Sequence, residues 1–169
     1  MINNLTDLKN IKNEFIRREN LYFIIIVILV FFLDRYSKLT IIQNYSDNIY
    51  FINNFLNFDL NWNIGIGFGL LSTESSFIYN TITTLILLVI IFCINIALKS
   101  EILDKICFSM IVGGALGNFY DRIYFKAVPD FIDFHIGNFH WFVFNFADIF
   151  ITLGIFIYIL KGTLQKKIK

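Results

Sequence analysis

The stretch that begins at Gly113 reads GGALGNFYDR over 113–122, VPDFIDF over 128–134 and FNFADIF over 144–150. Four acids fall in it: Asp121, Asp130, Asp133 and Asp148. Asn118, Arg122 and Asn145 stand among them, and apolar runs of membrane length lie before and after. An ionisable side chain at membrane depth is costly, so it marks a site by default. Several together need a chemical reason.

Composition supports the membrane setting. Hydrophobic residues make up 57% of the 169 residues and charged residues 16%, against about 25% charged in a soluble domain. The net charge of +1 suggests no nucleic-acid partner. Cys93 and Cys107 lie inside apolar runs and read as buried small residues, not as a disulfide or metal pair.

About 20 apolar residues cross the hydrocarbon core as a helix. Four such spans can be drawn, at about 21–42, 77–98, 102–119 and 142–160. Lys9, Lys12, Arg17, Arg18, Lys99, Lys105, Lys161, Lys166, Lys167 and Lys169 all fall on one side of them. By the positive-inside rule both termini and the 99–105 link face the cytoplasm, and segments 43–76 and 120–141 face outward. The first run has no small-residue cleavage site and three more spans follow, so it reads as a retained helix and not a cleaved signal peptide. The expected fold is a mainly α, integral-membrane bundle of four transmembrane helices. A small extracytoplasmic sheet lies between spans 1 and 2, and the chain, 1–169, forms a single domain.

Residues 1–20 read as a polar lead-in. Asp34 and Lys38, four apart at the end of span 1, share a helical face. They read either as an interfacial pair with Lys38 snorkelling outward or as part of a site. Over 55–63, Phe, Leu and Trp alternate with Asn and Asp, which is the period of a strand. Asn63 is followed by Gly65, Gly67 and Gly69, which suit a close backbone approach or a glycine-rich re-entry into the membrane. Gly113 and Gly117 have the spacing that lets helices pack closely. Asn118, Asp121 and Arg122 share a face if their helix continues. Pro129 breaks that helix and presents Asp130 on a turn or short element. His135 and His140 read as loop residues with no metal pattern. Asn145 and Asp148 are expected on one helical face, either capping the helix or serving the site.

Serine chemistry is poorly supported, because neither His lies in a span beside a suitable Ser. Both Cys sit away from the acids, which argues against a thiol nucleophile. Two aspartates brought together share one proton; one member can activate water while the other donates to a carbonyl oxygen. That chemistry needs no metal and no cofactor. The competing reading is a proton-conducting or assembly membrane protein, against which no inverted repeat is visible.

The segments DRYSK at 34–38, NIGIGFG at 63–69, GGALGNFYDR, VPDFIDF and FNFADIF, in that order, make the chain resemble lipoprotein signal peptidase. This is signal peptidase II, the bacterial intramembrane aspartyl peptidase. The resemblance covers nearly the whole chain from span 1 to span 4. It implies a prolipoprotein substrate, cut before a lipobox cysteine that carries diacylglyceryl, in the cytoplasmic (inner) membrane. It implies Asp130 and Asp148 as the catalytic pair; the residues alone do not separate Asp121 from Asp130. It implies supporting or substrate-binding roles for Asp34, Lys38, Asn63, Gly65, Asn118, Asp121, Arg122 and Asn145. Membrane lipid and the antibiotic globomycin are the other implied partners. Three departures stand out: Arg35 where Gln is usual, Gly67 where Ala is, and Pro129 where Val is.

Overall fold

A computed structural model describes residues 18–65 and 76–167. The expectations for most of the lead-in, for Gly67 and Gly69 and for the re-entry lie outside the described residues. The elements in order are α1 (Arg18–Asn44), β1 (Tyr50–Asn53), β2 (Leu56–Asn63), α2 (Ser76–Lys99), α3 (Ile102–Tyr124), β3 (Val128–Ile136), β4 (Phe139–Phe144) and α4 (Phe146–Lys167).

Among the described residues, three helical segments are long and apolar enough to cross a membrane: Phe77–Lys99, Ile102–Tyr124 and Phe146–Gln165. α1 is 27 residues long and carries Asp34, Arg35 and Lys38 in its second half, all buried. The surface confirms the setting. Phe32, Phe92 and Phe156 are each more than 60% exposed, whereas Asp34, Lys38, Asp121 and Asn145 are fully buried. Apolar outside and charged inside is the arrangement a bilayer favours, since lipid solvates Phe and the protein interior must pair its own charges.

α3 packs against α1, α2 and α4. Small residues bring the backbones together. A Cβ on Gly113 would stand 2.7 Å from Val30 Cβ, and one on Gly114 2.5 Å from the Ala147 carbonyl oxygen. One on Gly117 would collide with the Asp34 carboxylate. Across the α3–α4 interface, a Cβ on Gly154 of α4 would lie 2.7 Å from the Cys107 carbonyl. Phe23, Ile90, Cys93, Ala97, Phe108 and Val112 fill the core among α1, α2 and α3. Cys93 and Cys107 are buried free thiols.

The sheet is four-stranded and antiparallel, in the order β1-β2-β3-β4. This corrects the expectation of a sheet formed between spans 1 and 2 alone. Half of it comes from the segment after α3. Pro129 and Asp130 are strand residues, opposite Trp62 and Asn61, and not part of a turn. His135 and His140 face each other across the β3–β4 hairpin, and neither is a loop residue. The physical reason is burial on both faces: Val128 to Asp133 are all buried, so β3 shows no alternation for a period-two reading to find. Pro129 lies where β3 has β2 on one side only, since pairing with β4 starts at Ile132, so the strand is an edge at that point. Gly137, with φ +58°, makes the hairpin turn.

Several helices differ in extent from the drawn spans. α3 runs on to Tyr124, beyond 119, and its last turn closes with Phe125 N–H on the Asp121 carbonyl at 2.7 Å. α4 begins at Phe146, because the residues before it belong to β4. A second core of Ile41, Phe131 and Ile132 seats the sheet on the end of α1.

Candidate active site

Asp130 enters the site from β3 and Asp148 from the first turn of α4. Asn145 joins them. Its Nδ2 donates to Asp130 Oδ1 at 2.6 Å, and its backbone N–H donates to Asp148 Oδ2 at 3.2 Å. Its Oδ1 accepts from the Asp148 backbone N–H at 3.1 Å. The last two bonds form a reciprocal cap, with Asn145 at the N-cap and Asp148 three residues on. Asn145 therefore precedes α4 and does not share its face, contrary to expectation. The capping reading holds, and the same asparagine also reaches Asp130, because it has enough polar atoms for both contacts.

Two more amides complete the donors. Asn63 Nδ2 reaches Asp130 Oδ2 at 2.9 Å, and Asn118 Nδ2 reaches Asp148 Oδ1 at 2.9 Å. Each amide oxygen is held elsewhere: Asn63 Oδ1 by the Gly65 N–H at 2.8 Å, Asn118 Oδ1 by Lys38 Nζ at 2.7 Å. An amide whose oxygen is occupied by a donor presents its NH2 on the other side. The strand register explains Asn63, since the polar row of β2 lies along the acids of β3, with Asn61 opposite Asp130 and Asn57 opposite Asp133.

Beneath the pair lies an ion cluster. Lys38 Nζ is 2.8 Å from Asp34 Oδ2 and 2.7 Å from Asp121 Oδ2. Arg35 pairs with the other Asp121 oxygen and lies 4.8 Å from the centre of the Tyr120 ring. Asp34 Oδ1 accepts the Ala147 backbone N–H at 3.0 Å, tying α1 to the start of α4. Lys38 thus reaches inward, and the snorkelling reading fails. Asn118, Asp121 and Arg122 do face one way on the continued α3. Asp121 is engaged by two cations, while Arg122 Nη2 donates to the Gly65 carbonyl at 2.7 Å.

Of the four acids, Asp133 is the one placed apart. His140 Nδ1 lies 2.8 Å from it and Asn57 Nδ2 donates to it at 3.3 Å. Arg35, noted in the sequence only as a departure from the family pattern, is a neighbour of the site that sequence reasoning did not place there. Its position one residue from Asp34, at membrane depth, was the available signal.

Burial pushes the Asp130 carboxyl up to about 7, and the neighbouring Asp148 charge adds to the rise; the Asn63 and Asn145 amides and Lys38 oppose it. No group of His, Cys, Asp and Glu able to hold a metal occurs among the described residues. What the site presents is a coupled pair of carboxylates, each with two N–H donors, one of them poised to hold a proton near neutrality.

A family model described as Signal peptidase (SPase) II matches residues 26–164. The chain belongs to the signal peptidase II family. A lipoprotein signal peptidase of Pelagibacter ubique (strain HTCC1062) is 50% identical over 155 residues, covering 89% of each chain. That of Francisella tularensis subsp. novicida (strain U112) is 39% identical over 164 residues, covering 89% of this chain and 96% of its own. That of Anaplasma phagocytophilum (strain HZ) is 40% identical over 147 residues, covering 84% and 92%. A bacterial membrane enzyme solved by the in meso method at 2.3 Å resolution superimposes with a TM-score of 0.72 at 29% identity, over 88% of this chain and 91% of its own. Another, at 1.9 Å, gives 0.66 at 30% identity, over 83% and 91%. As a member of the signal peptidase II family the chain is a membrane peptidase, and so a hydrolase.

Proposed function

We propose that this chain removes signal peptides from prolipoproteins by cutting before a diacylglyceryl-modified lipobox cysteine, with water activated between Asp130 and Asp148. The observation that carries the pair is the Asn145 bridge, which holds one oxygen of each carboxylate on a single residue. Asp121 is set aside because Lys38 and Arg35 engage both of its oxygens. The name of the relatives, lipoprotein signal peptidase, supplies the substrate class.

The ionised carboxylate takes a proton from water as the water oxygen bonds to the peptide carbonyl carbon. The protonated carboxylate donates to the carbonyl oxygen. Collapse of the resulting diol breaks the C–N bond, and the leaving nitrogen takes a proton. Asn63, Gly65, Asn118 and Arg122 surround this point from β2 and α3 and hold the carboxylates and the substrate backbone. Asp34, Lys38 and Asp121 support them from below. No cofactor takes part.

In this reading α1 is a fourth span, the bundle and sheet form one domain, and both termini lie in the cytoplasm of a bacterium. The sheet rests on the outer face of the inner membrane, near lipid headgroups. Globomycin binds in the same site.

The test uses purified protein in detergent with a diacylglyceryl-modified prolipoprotein, followed by gel shift. Wild type cleaves and globomycin blocks it, while Asp130→Asn and Asp148→Asn each lose at least about a hundredfold. Cleavage that survives in Asp130→Asn but vanishes in Asp121→Asn would reassign the partner of Asp148. No cleavage by folded wild type would favour a proton-conducting or assembly role instead.

A further inference from the structure

Lys38 is a fully buried ammonium with three N–H donors, and three acceptors surround it. Two are the carboxylates of Asp34 and Asp121; the third is the neutral amide oxygen of Asn118, at 2.7 Å. That third contact leaves Asn118 only its NH2 to present to Asp148, which it does at 2.9 Å. The other Asp148 oxygen meets the Asn145 N–H in the first turn of α4, at the positively polarised end of the helix. Asp148 is thus solvated by donors from both sides with a cation one residue behind. Asp130 also has two amide donors, but it lies on a strand, and among the described residues no helix end and no cation makes a hydrogen bond to it. The charged groups around Asp148 are Asp34 and Lys38 on α1, Arg122 and, through Lys38, Asp121 on α3, and Asp130 on β3.

We propose that Lys38 is a positioning residue for the reaction: by locking Asn118 in its donating orientation it makes Asp148 the ionised, water-activating member of the pair and leaves the resting proton on Asp130. This rests on the reading of Asp130 and Asp148 as the catalytic pair. Burial and the Asp148 charge, which together push Asp130 up to about 7, agree with a proton stored there. The proton balance closes over one turnover. Asp148 takes the water proton while Asp130 gives its own to the carbonyl oxygen. As the C–N bond breaks, Asp148 passes its proton to the leaving nitrogen and a diol hydroxyl returns one to Asp130.

A merely structural Lys38 would neutralise Asp34 and Asp121 and do nothing more. Two variants separate the roles. Asn118→Leu removes the relay and leaves both ion contacts of Lys38 in place. Lys38→Met combined with Asp34→Asn removes the relay while keeping charges balanced, since Arg35 still pairs with Asp121. Both are assayed as the pH profile of kcat/KM on a diacylglyceryl lipopeptide, with thermal unfolding alongside. The expected result is an acid limb displaced upward by about one pH unit, with kcat down about tenfold to a hundredfold and KM within about twofold. An acid limb that stays in place while activity falls evenly at every pH overturns the proposal. If the double variant does not fold, Asn118→Leu decides alone, and an unmoved limb there is equally decisive. A wild type that cleaves no lipopeptide overturns the catalytic pair itself, an outcome distinct from an unmoved limb in an active enzyme.

Discussion

A carboxyl buried at 3% exposure and held near 7 makes the protein's stability depend on pH. Folding raises the Asp130 pKa from about 4, so the folded state binds the proton more tightly than the unfolded chain does. The contribution is fully present below about pH 4 and is lost as pH rises through about 7, a change on the order of 4 kcal/mol. Asp130→Asn has no such proton to lose. Thermal unfolding of purified protein at pH 5 and pH 8 is expected to show wild type weakening across that interval more than the variant does. Equal slopes for the two would mean that the carboxyl is not raised. The substitution expected to abolish cleavage is therefore also expected to stabilise the fold at alkaline pH, as neutralising a strained functional group often does. At this scale the sequence was informative about residue type. Asp121, Asp130, Asp133 and Asp148 stood out together because charge in an apolar setting is costly. What it left open was Asp121 against Asp130, which depends on which cations come within reach: Arg35 and Lys38 take both oxygens of the one, and two neutral amides hold the other.

Among elements, α4 brings Asp148 and its Asn145 cap, α3 brings Asn118 and Asp121, and β3 brings Asp130. Asn145 both caps α4 and bridges the acids, and two substitutions separate these tasks. Asn145→Ser keeps a good N-cap but cannot reach Asp130, so activity falls while the melting temperature holds. Asn145→Ala loses both, with about 1 kcal/mol of stability gone as well. A serine variant as unstable as the alanine one would show that the cap is not made by this side chain. Glycines give a second test. Gly117→Ala drives a methyl onto the Asp34 carboxylate and should cost about 1–3 kcal/mol together with activity. Gly162→Ala on α4 has nothing within 4 Å and should leave stability unchanged or raise it slightly. Equal melting temperatures for the two variants would contradict the close α1–α3 contact. The small-residue spacing in α3 was readable from sequence because packing without side chains needs Gly at fixed intervals. The β3–β4 hairpin was not, because a strand buried on both faces loses its alternation and its partners lie far away in the chain: Asp133 pairs with Asn57.

For the molecule as a whole, the orientation in the membrane is the remaining prediction. With the buried Cys93 and Cys107 contributing little background, Asn138→Cys at the hairpin turn should react with a membrane-impermeant thiol reagent on intact cells. Glu101→Cys, in the link between α2 and α3, should react only after permeabilisation. The reverse pattern would invert the topology and place the aspartates on the cytoplasmic side. The sequence by itself determined that this is a helical membrane protein with acids concentrated in one region, because helix length, apolar composition and the cost of intramembrane charge are local properties. It also determined the family, through five short motifs kept in order. Only the tertiary structure decided which of those charges neutralise one another, that the sheet draws its strands from both sides of α2 and α3, and that three asparagine amides turn their NH2 groups toward two carboxylates. Those are properties of pairs, and a pair is set by which distant segments meet once α1, α3 and α4 have packed at the glycines of α3 and α4.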